Sequence, residues 1–434
     1  MSMTPLQLRL LCVRTLIRAA ESGSYGNIAL GSALNRVDGE CSPDPRDKAL
    51  CTALFQGTVE RMLTLDACIR AHSKRPPEKL ELPVLCVLRC GMYELLYLHT
   101  PEAAAVNLWT EAVKKLKKTS ASGMVNAVLR AFLRAGKQIP VPEEPIAAMS
   151  VQYSVPVPLL KHLLEDYDRD TVTAFLEDAL GEPPLYVRRN PLRVTETEFL
   201  ANNRAEAVPG IPCAFRLERG QPVQTGMMHV QDLASQLCCL ALDPQPGETV
   251  LDVCAAPGGK TFTAAELMQD CGKIFACDLH ENRVNLIRKG ASALGLTCIQ
   301  AQAGDARTTK KPEADRVLCD VPCSGYGVIR RKPEIRYKLP EEAAGLPEIQ
   351  YEILEAAADA VRRGGVLVYS TCTVLKRENE AVVRKFLAQH PEFHPEKPWQ
   401  NSDFLAPYGQ EMTTLFPAVL GSDGFFIAKL RRSK

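Results

Sequence analysis

Apolar residues recur at helical spacing through Leu8 to Ala20, Arg46 to Ala71, Leu82 to Leu98, Ala103 to Leu116 and Met124 to Leu133. Strand-like alternation is scarce there, so residues 1–140 read as an all-helical bundle. Ser42-Pro43-Asp44-Pro45 and Arg75-Pro76-Pro77-Glu78 punctuate it as turns. A Pro-rich stretch, Ile139 to Pro145, closes the bundle, and residues 141–223 mix a helical run, Leu159 to Leu176, with a strand-like Leu185 to Asn190, a small α+β connector. In residues 224–434, strands at Thr249 to Cys254, Lys273 to Asp278, Thr297 to Ala303, Asp315 to Asp320 and Val366 to Ser370 alternate with helices, the pattern of a parallel sheet with crossovers. The fold class is therefore α/β, preceded by an all-α domain.

Composition changes this picture little. The 434 residues are 46% hydrophobic and 24% charged, with a net charge of +1, as expected of well-packed domains. The balance is uneven, +7 over residues 1–140 and −6 beyond, which hints at an anionic partner for the front end. No apolar run reaches the length of a bilayer span, and Met1 to Gln7 lacks the layout of a secretory signal; a cytoplasmic protein is expected. The 16 cysteines are scattered through apolar segments without Cys-x-x-Cys pairs, and the 7 histidines show no ligand spacing, so reduced core thiols and no metal are expected.

The turn after the first strand of the sheet, Cys254-Ala255-Ala256-Pro257-Gly258-Gly259-Lys260-Thr261, suits close approach of a ligand, because small residues admit it and the next helix presents its N-terminus. Its glycines are adjacent, unlike those of a dinucleotide fingerprint, and Cys254 stands where a phosphate loop has its first glycine. Asp278, Asp305 and Asp320 follow consecutive strands, where carboxylates can accept hydrogen bonds from ribose hydroxyls or an adenine amine; together they suggest a nucleoside-containing cofactor. Two further turns carry thiols, Asp320-Val321-Pro322-Cys323-Ser324-Gly325 and Ser370-Thr371-Cys372-Thr373.

In order and spacing these three motifs resemble those of the Nop/Sun family of S-adenosylmethionine-dependent RNA cytosine-5 methyltransferases. Val230 to Ser235 and Ser422 to Ala428 are similar to further segments of that family. Leu88 to Leu98, Ala104 to Asn107 and Val125 to Arg130 resemble the NusB-type RNA-binding fold. The resemblance implies a Rossmann-like catalytic domain and a monomer using S-adenosylmethionine, held by Cys254, Ala255, Ala256, Pro257, Gly258, Gly259, Lys260, Asp278, Arg283, Asp305 and Asp320. The pairing of the two domain types implies 16S ribosomal RNA as partner, with neither DNA nor membrane. It further implies Cys372 as nucleophile on cytosine C6, Cys323 as the thiol that aids adduct release, Asp320 as a contact to the target base, and Lys260 near the base or a reacting carboxylate. In methyltransferases acting on DNA cytosine the Pro-Cys thiol attacks instead, so the two roles could be exchanged.

Arg188, Arg189, Arg330, Arg331 and Lys332 are suitable phosphate contacts, Tyr326 and Tyr337 could stack on bases, and Lys114 to Lys118 form a basic run. Two other readings stay open on the residues: a non-catalytic RNA-binding assembly factor, and a nucleotide hydrolase in which Val317 to Asp320 is the metal-binding strand.

Overall fold

The computed structural model describes residues 3–22 and 44–434. Ser42 and Pro43 of the first expected turn lie outside the described residues; Asp44 caps the helix that follows by accepting from the amides of Arg46 and Asp47. The chain forms two compact units. One comprises residues through Tyr167 with Arg331–Leu339, the other Asp168–Arg330 with Pro340–Lys434. These limits differ from the divisions at 140 and 223 read from the sequence, because two helices beyond the Pro-rich stretch cluster with the first unit.

In the described residues that unit holds α1 (Pro5–Ser22), α2 (Pro45–Glu60), α3 (Met62–His72), α4 (Leu82–Tyr97), α5 (Glu102–Lys115), α6 (Ser122–Arg134), α7 (Pro145–Tyr153) and α8 (Val157–Asp166). Their apolar stripes bury Val13, Leu54, Leu88, Trp109, Leu129 and Phe132 completely. The single helix expected over Arg46 to Ala71 is broken at Arg61 (φ −112°, ψ 18°). Tyr337 takes up the freed backbone groups: its hydroxyl donates to Val59 O (2.7 Å) and accepts from Met62 N (3.1 Å), while Arg336 donates to Glu60 O (3.1 Å). Both side chains are thereby committed, and Tyr337 is not the free stacking ring expected. The basic run is partly neutralised, since Lys114 pairs with Glu111 (3.1 Å) and Lys118 with Glu81.

A buried ion pair sits in this core. Arg9 donates to Glu94 through Nε (3.0 Å) and Nη2, and Trp109 Nε1 donates to the same carboxylate (2.7 Å). Glu94→Ala leaves Arg9 charged and uncompensated in an apolar site, so a loss of about 3–5 kcal/mol is expected. Replacing Arg9 and Glu94 together by Met and Leu should restore most of it, and denaturant unfolding of the three variants checks both statements.

The second unit begins with α9 (Arg169–Asp178), capped by Asp168, which splits the helix expected over Leu159 to Leu176. A small antiparallel sheet follows, made of β1 (Tyr186–Arg189), β2 (Ala205–Ala207), β3 (Ala214–Leu217) and β4 (Met228–Val230) in the order β2-β3-β1-β4, with α10 (Glu196–Asn202) between β1 and β2. Next come α11 (Leu233–Leu242), β5 (Thr249–Asp252), α12 (Gly259–Leu267), β6 (Lys273–Asp278), α13 (Glu281–Leu294), β7 (Ile299–Ala303), β8 (Ala314–Asp320), α14 (Leu346–Ala358), β9 (Val361–Thr371), α15 (Glu380–Gln389), β10 (Phe393–Glu396), β11 (Met412–Leu415), α16 (Pro417–Leu420) and β12 (Phe425–Arg432). The large sheet runs β10-β12-β9-β8-β5-β6-β7, with β11 beside β12. Strands β7, β6, β5, β8 and β9 are parallel and β12 returns antiparallel to β9.

The order fixes where chemistry can occur. From β5 the chain winds outward through β6 to β7, then restarts on the other side with β8, so the carboxyl ends of β5 and β8 flank a topological switch point, where such sheets leave a crevice. No described helix is long and apolar enough to cross a membrane, and every described cysteine is a free thiol.

Candidate active site

The crevice is built from three strand ends. After β5 the backbone turns through Val253 to Gly258, where Gly258 adopts φ +115° and a Cβ would lie 2.3 Å from the Phe262 ring, so only glycine fits. The amide of Ala255 donates to Cys277 O (2.8 Å) and that of Ala256 to Asp278 Oδ2 (3.3 Å), tying the turn to the end of β6. Arg283 completes the tie through Ala256 O (2.8 Å) and Asp278 (3.2 Å). Beneath the turn, buried Asp252 accepts from Thr261 Oγ1 (2.7 Å), and burial raises its carboxyl to about 7. In a phosphate loop this Thr would face a metal; here it is spent on the strand end, which counts against the hydrolase reading.

Asp320, at the end of β8, accepts from Lys260 Nζ (2.8 Å) on one oxygen and from Ser370 Oγ (2.8 Å) on the other. Burial alone would depress the Lys260 ammonium, but the Asp320 carboxylate outweighs it and raises Lys260 above its ordinary range. Lys260 also lies 5.0 Å from the centroid of the Phe425 ring. Asp320 keeps 28% of its side chain exposed, so it is oriented and still reachable.

The two thiols meet just beyond it. Cys323 Sγ and Cys372 Sγ are 3.3 Å apart, both half-buried, on loops leaving adjacent parallel strands. A layer of hydrogen bonds supports them. Gly327 N donates to Cys372 O (2.9 Å), and Gly424 N to Gly327 O (2.9 Å). Ser324 Oγ meets Thr373 Oγ1 (2.8 Å), Thr371 Oγ1 donates to Asn379 Oδ1 (2.6 Å), and Asn379 Nδ2 donates to Thr373 O (3.0 Å).

The chain matches a model described as the 16S rRNA methyltransferase RsmB/F over residues 239–431, and the NusB family over residues 7–134. It is 34% identical to a probable ribosomal RNA small subunit methyltransferase B of Bacillus subtilis (strain 168), covering 97% of this chain and 98% of that protein. The chain belongs to the RsmB/F family. A second RsmB/F relative, the probable ribosomal RNA small subunit methyltransferase B of Synechocystis, is 36% identical over 98% of this chain and 99% of its own. Among solved structures, PH0851 superposes with a TM-score of 0.78 at 26% identity, covering 98% of this chain and 99% of that one. NSun6 from Pyrococcus horikoshii, with a TM-score of 0.57 and 20% identity over 64% of this chain and 98% of its own, shares the fold.

Within this RsmB/F member the expected site residues fall into two groups. Residues 254–260, Asp278, Arg283, Asp320, Cys323 and Cys372 stand at the carboxyl ends of β5, β6, β8 and β9. Asp305 follows β7, where the side chain and the backbone amide of Arg307 hold its carboxyl down at about 2. The Cys254 thiol packs beneath the turn, and burial pushes it well above its ordinary range.

Several expected RNA contacts are corrected. Arg188 is 1% exposed and donates to Glu266 (2.6 Å), and Arg189 is spent on Val194 O and Cys213. Arg330 bonds Asp178 (2.8 Å) and Gly421 O (3.0 Å), and Tyr326 is wholly buried. Sequence reasoning counted charges and rings without seeing that a neighbouring element supplies each a partner. It assigned no role to Gly327, Gly424, Gln350, Glu378 and Asn379, which contact the thiol loops; the glycines at 327 and 424 lay within segments singled out by resemblance, but they meet across more than ninety positions.

Proposed function

We propose that this protein methylates C5 of a cytosine in 16S ribosomal RNA, using S-adenosylmethionine, through a transient bond between Cys372 and C6 of the base. The chain's membership of an rRNA methyltransferase family supplies the reaction class. The observation that carries the finer reading is the pair of thiols 3.3 Å apart beside a lysine-bound Asp320.

The donor set fits the cofactor. The glycine turn admits a close backbone approach, and Asp278 Oδ1 carries a single 3.3 Å bond, to His280 N, leaving capacity for a hydroxyl. The residues to hold it are 254–259, Asp278, Asp305 and Asp320. Bound there, S-adenosylmethionine would supply an electrophilic methyl group on a sulfonium.

The chain's own residues do the rest. Cytosine C5 is a poor nucleophile until a thiolate adds at C6 and makes the ring an enamine. Cys372 supplies that thiolate. Asp320, fixed by Lys260 and Ser370, accepts a hydrogen bond from the exocyclic amine of the base, and the Lys260 ammonium beside it offsets the negative charge that develops on the ring. After methyl transfer, the C5 proton passes to water, the C5–C6 double bond re-forms and the C6–sulfur bond breaks, returning its electron pair to Cys372. Cys323 aids that departure by donating its S–H toward the leaving sulfur.

The test is a 16S rRNA substrate tritiated at cytosine C5. Each methyl group incorporated should release one tritium to water. Methyl incorporation without tritium release would place the methyl elsewhere and sink the reading.

A further inference from the structure

We infer that Glu378 is a positioning residue for the two-thiol chemistry: its buried carboxyl group anchors the Cys323 loop on both sides and sits behind that thiol. The inference rests on the roles proposed above for the two cysteines.

Glu378 lies in the short turn Lys376–Glu378 that follows the Cys372 loop, and its side chain is 0% exposed. Burying a polar side chain is costly unless hydrogen bonds meet it, and two donors meet this one. Its Oε2 accepts from the amide of Ser324 (2.9 Å), the residue after Cys323, and from Gln350 Nε2 (2.9 Å), which also donates to Pro322 O (3.0 Å), the residue before Cys323. The carboxylate therefore grips the Cys323 loop on both sides. Its own backbone carbonyl accepts from Tyr369 OH (2.6 Å) on β9, and the neighbouring Asn379 binds Thr371 and Thr373, which flank Cys372. One dipeptide thus holds both loops in register. No cation neutralises the carboxylate among the described residues, and Oε1 has no hydrogen-bond partner.

The titratable groups facing Cys323 are Cys372 after β9, Asp320 on β8 with its partner Lys260 on α12, Tyr369 within β9, and Glu378. The nearby Cys372 sulfur, burial, and the negative charges of Glu378 and Asp320 all push the Cys323 thiol upward. A thiol that keeps its proton can donate to the sulfur of Cys372 as it leaves, and it does not compete for C6.

Glu378→Gln separates charge from position, because the amide oxygen can keep both bonds made by Oε2 while the amide nitrogen takes the place of unpartnered Oε1. The experiment follows iodoacetamide labelling of Cys323 and Cys372 against pH in the full chain, by mass spectrometry of the two peptides. In the parent protein Cys372 should titrate below Cys323; the reverse order overturns the inference even if no variant folds. In Glu378→Gln the midpoint for Cys323 should fall by roughly one pH unit, so that labelling below the midpoint is about tenfold faster. An unchanged midpoint overturns the charge role. Labelling requires no RNA, so its outcome is independent of the tritium-release test of the reaction itself.

Discussion

Cys372→Ala is expected to lower methyl transfer by roughly four to six orders of magnitude, the scale seen when a covalent nucleophile is removed. It should also form no protein–RNA complex that survives denaturation. In the reaction proposed above, C5 becomes an enamine carbon only through the thiolate, and orientation by Asp320 would not substitute for the missing bond. Cys323→Ala should behave differently. Its attacking thiol remains, so the methyl is delivered, but the departing Cys372 loses a donor 3.3 Å from its sulfur. A methylated adduct should accumulate as a retarded band on a denaturing gel. If Cys372→Ala gave the trapped band and Cys323→Ala gave none, the two roles would be exchanged.

Gly327→Ala is expected to damage both fold and site. A Cβ at this position would lie 1.9 Å from Gly424 O and 2.8 Å from Cys372 O, and both neighbours are backbone atoms that no rotamer change can move. The loops must separate, breaking the bonds Gly327 N to Cys372 O and Gly424 N to Gly327 O, both 2.9 Å. A loss of about 3 kcal/mol or more follows from the overpacking and the orphaned buried amides. Gly345→Ala serves as the control: nothing lies within 4 Å of its Cβ, and a change below about 1 kcal/mol is expected. Denaturant midpoints of the two variants, with methylation rates alongside, separate steric damage from a general effect of losing glycine. Since Gly327 touches the Cys372 carbonyl, its variant should lose activity even under conditions where it remains folded.

The parallel strands of the large sheet were legible because periodicity is local. Lys273–Asp278 appears as expected and the other four with moved ends, the largest change being β9, which starts at Val361 rather than Val366; β2, β3, β4, β10, β11 and β12 were not read. The thiol turns and the glycine turn were legible as motifs because loops between β-strands and helices carry their chemistry in consecutive residues. That the turns converge follows from strand order: β5, β8 and β9 are neighbours, so turns 254–259, 321–325 and 372–375 leave one edge of one sheet.

What the sequence by itself determined was the helical character of the first unit, the five parallel strands of the large sheet and the small, acidic and sulfur-bearing residues at their ends, since backbone sterics and apolar spacing act within a few residues. Only the tertiary structure decided which polar groups were spent internally. Tyr337 terminates a helix 275 positions away, Arg188 closes on Glu266, and Glu378 grips a loop 54 positions earlier. Each is a buried hydrogen-bonding group whose partner must be supplied by another element, and partners across such separations leave no period or spacing to read. A buried donor or acceptor left without one costs about 1–3 kcal/mol, so packing, rather than composition, settled which charges remained free to meet RNA.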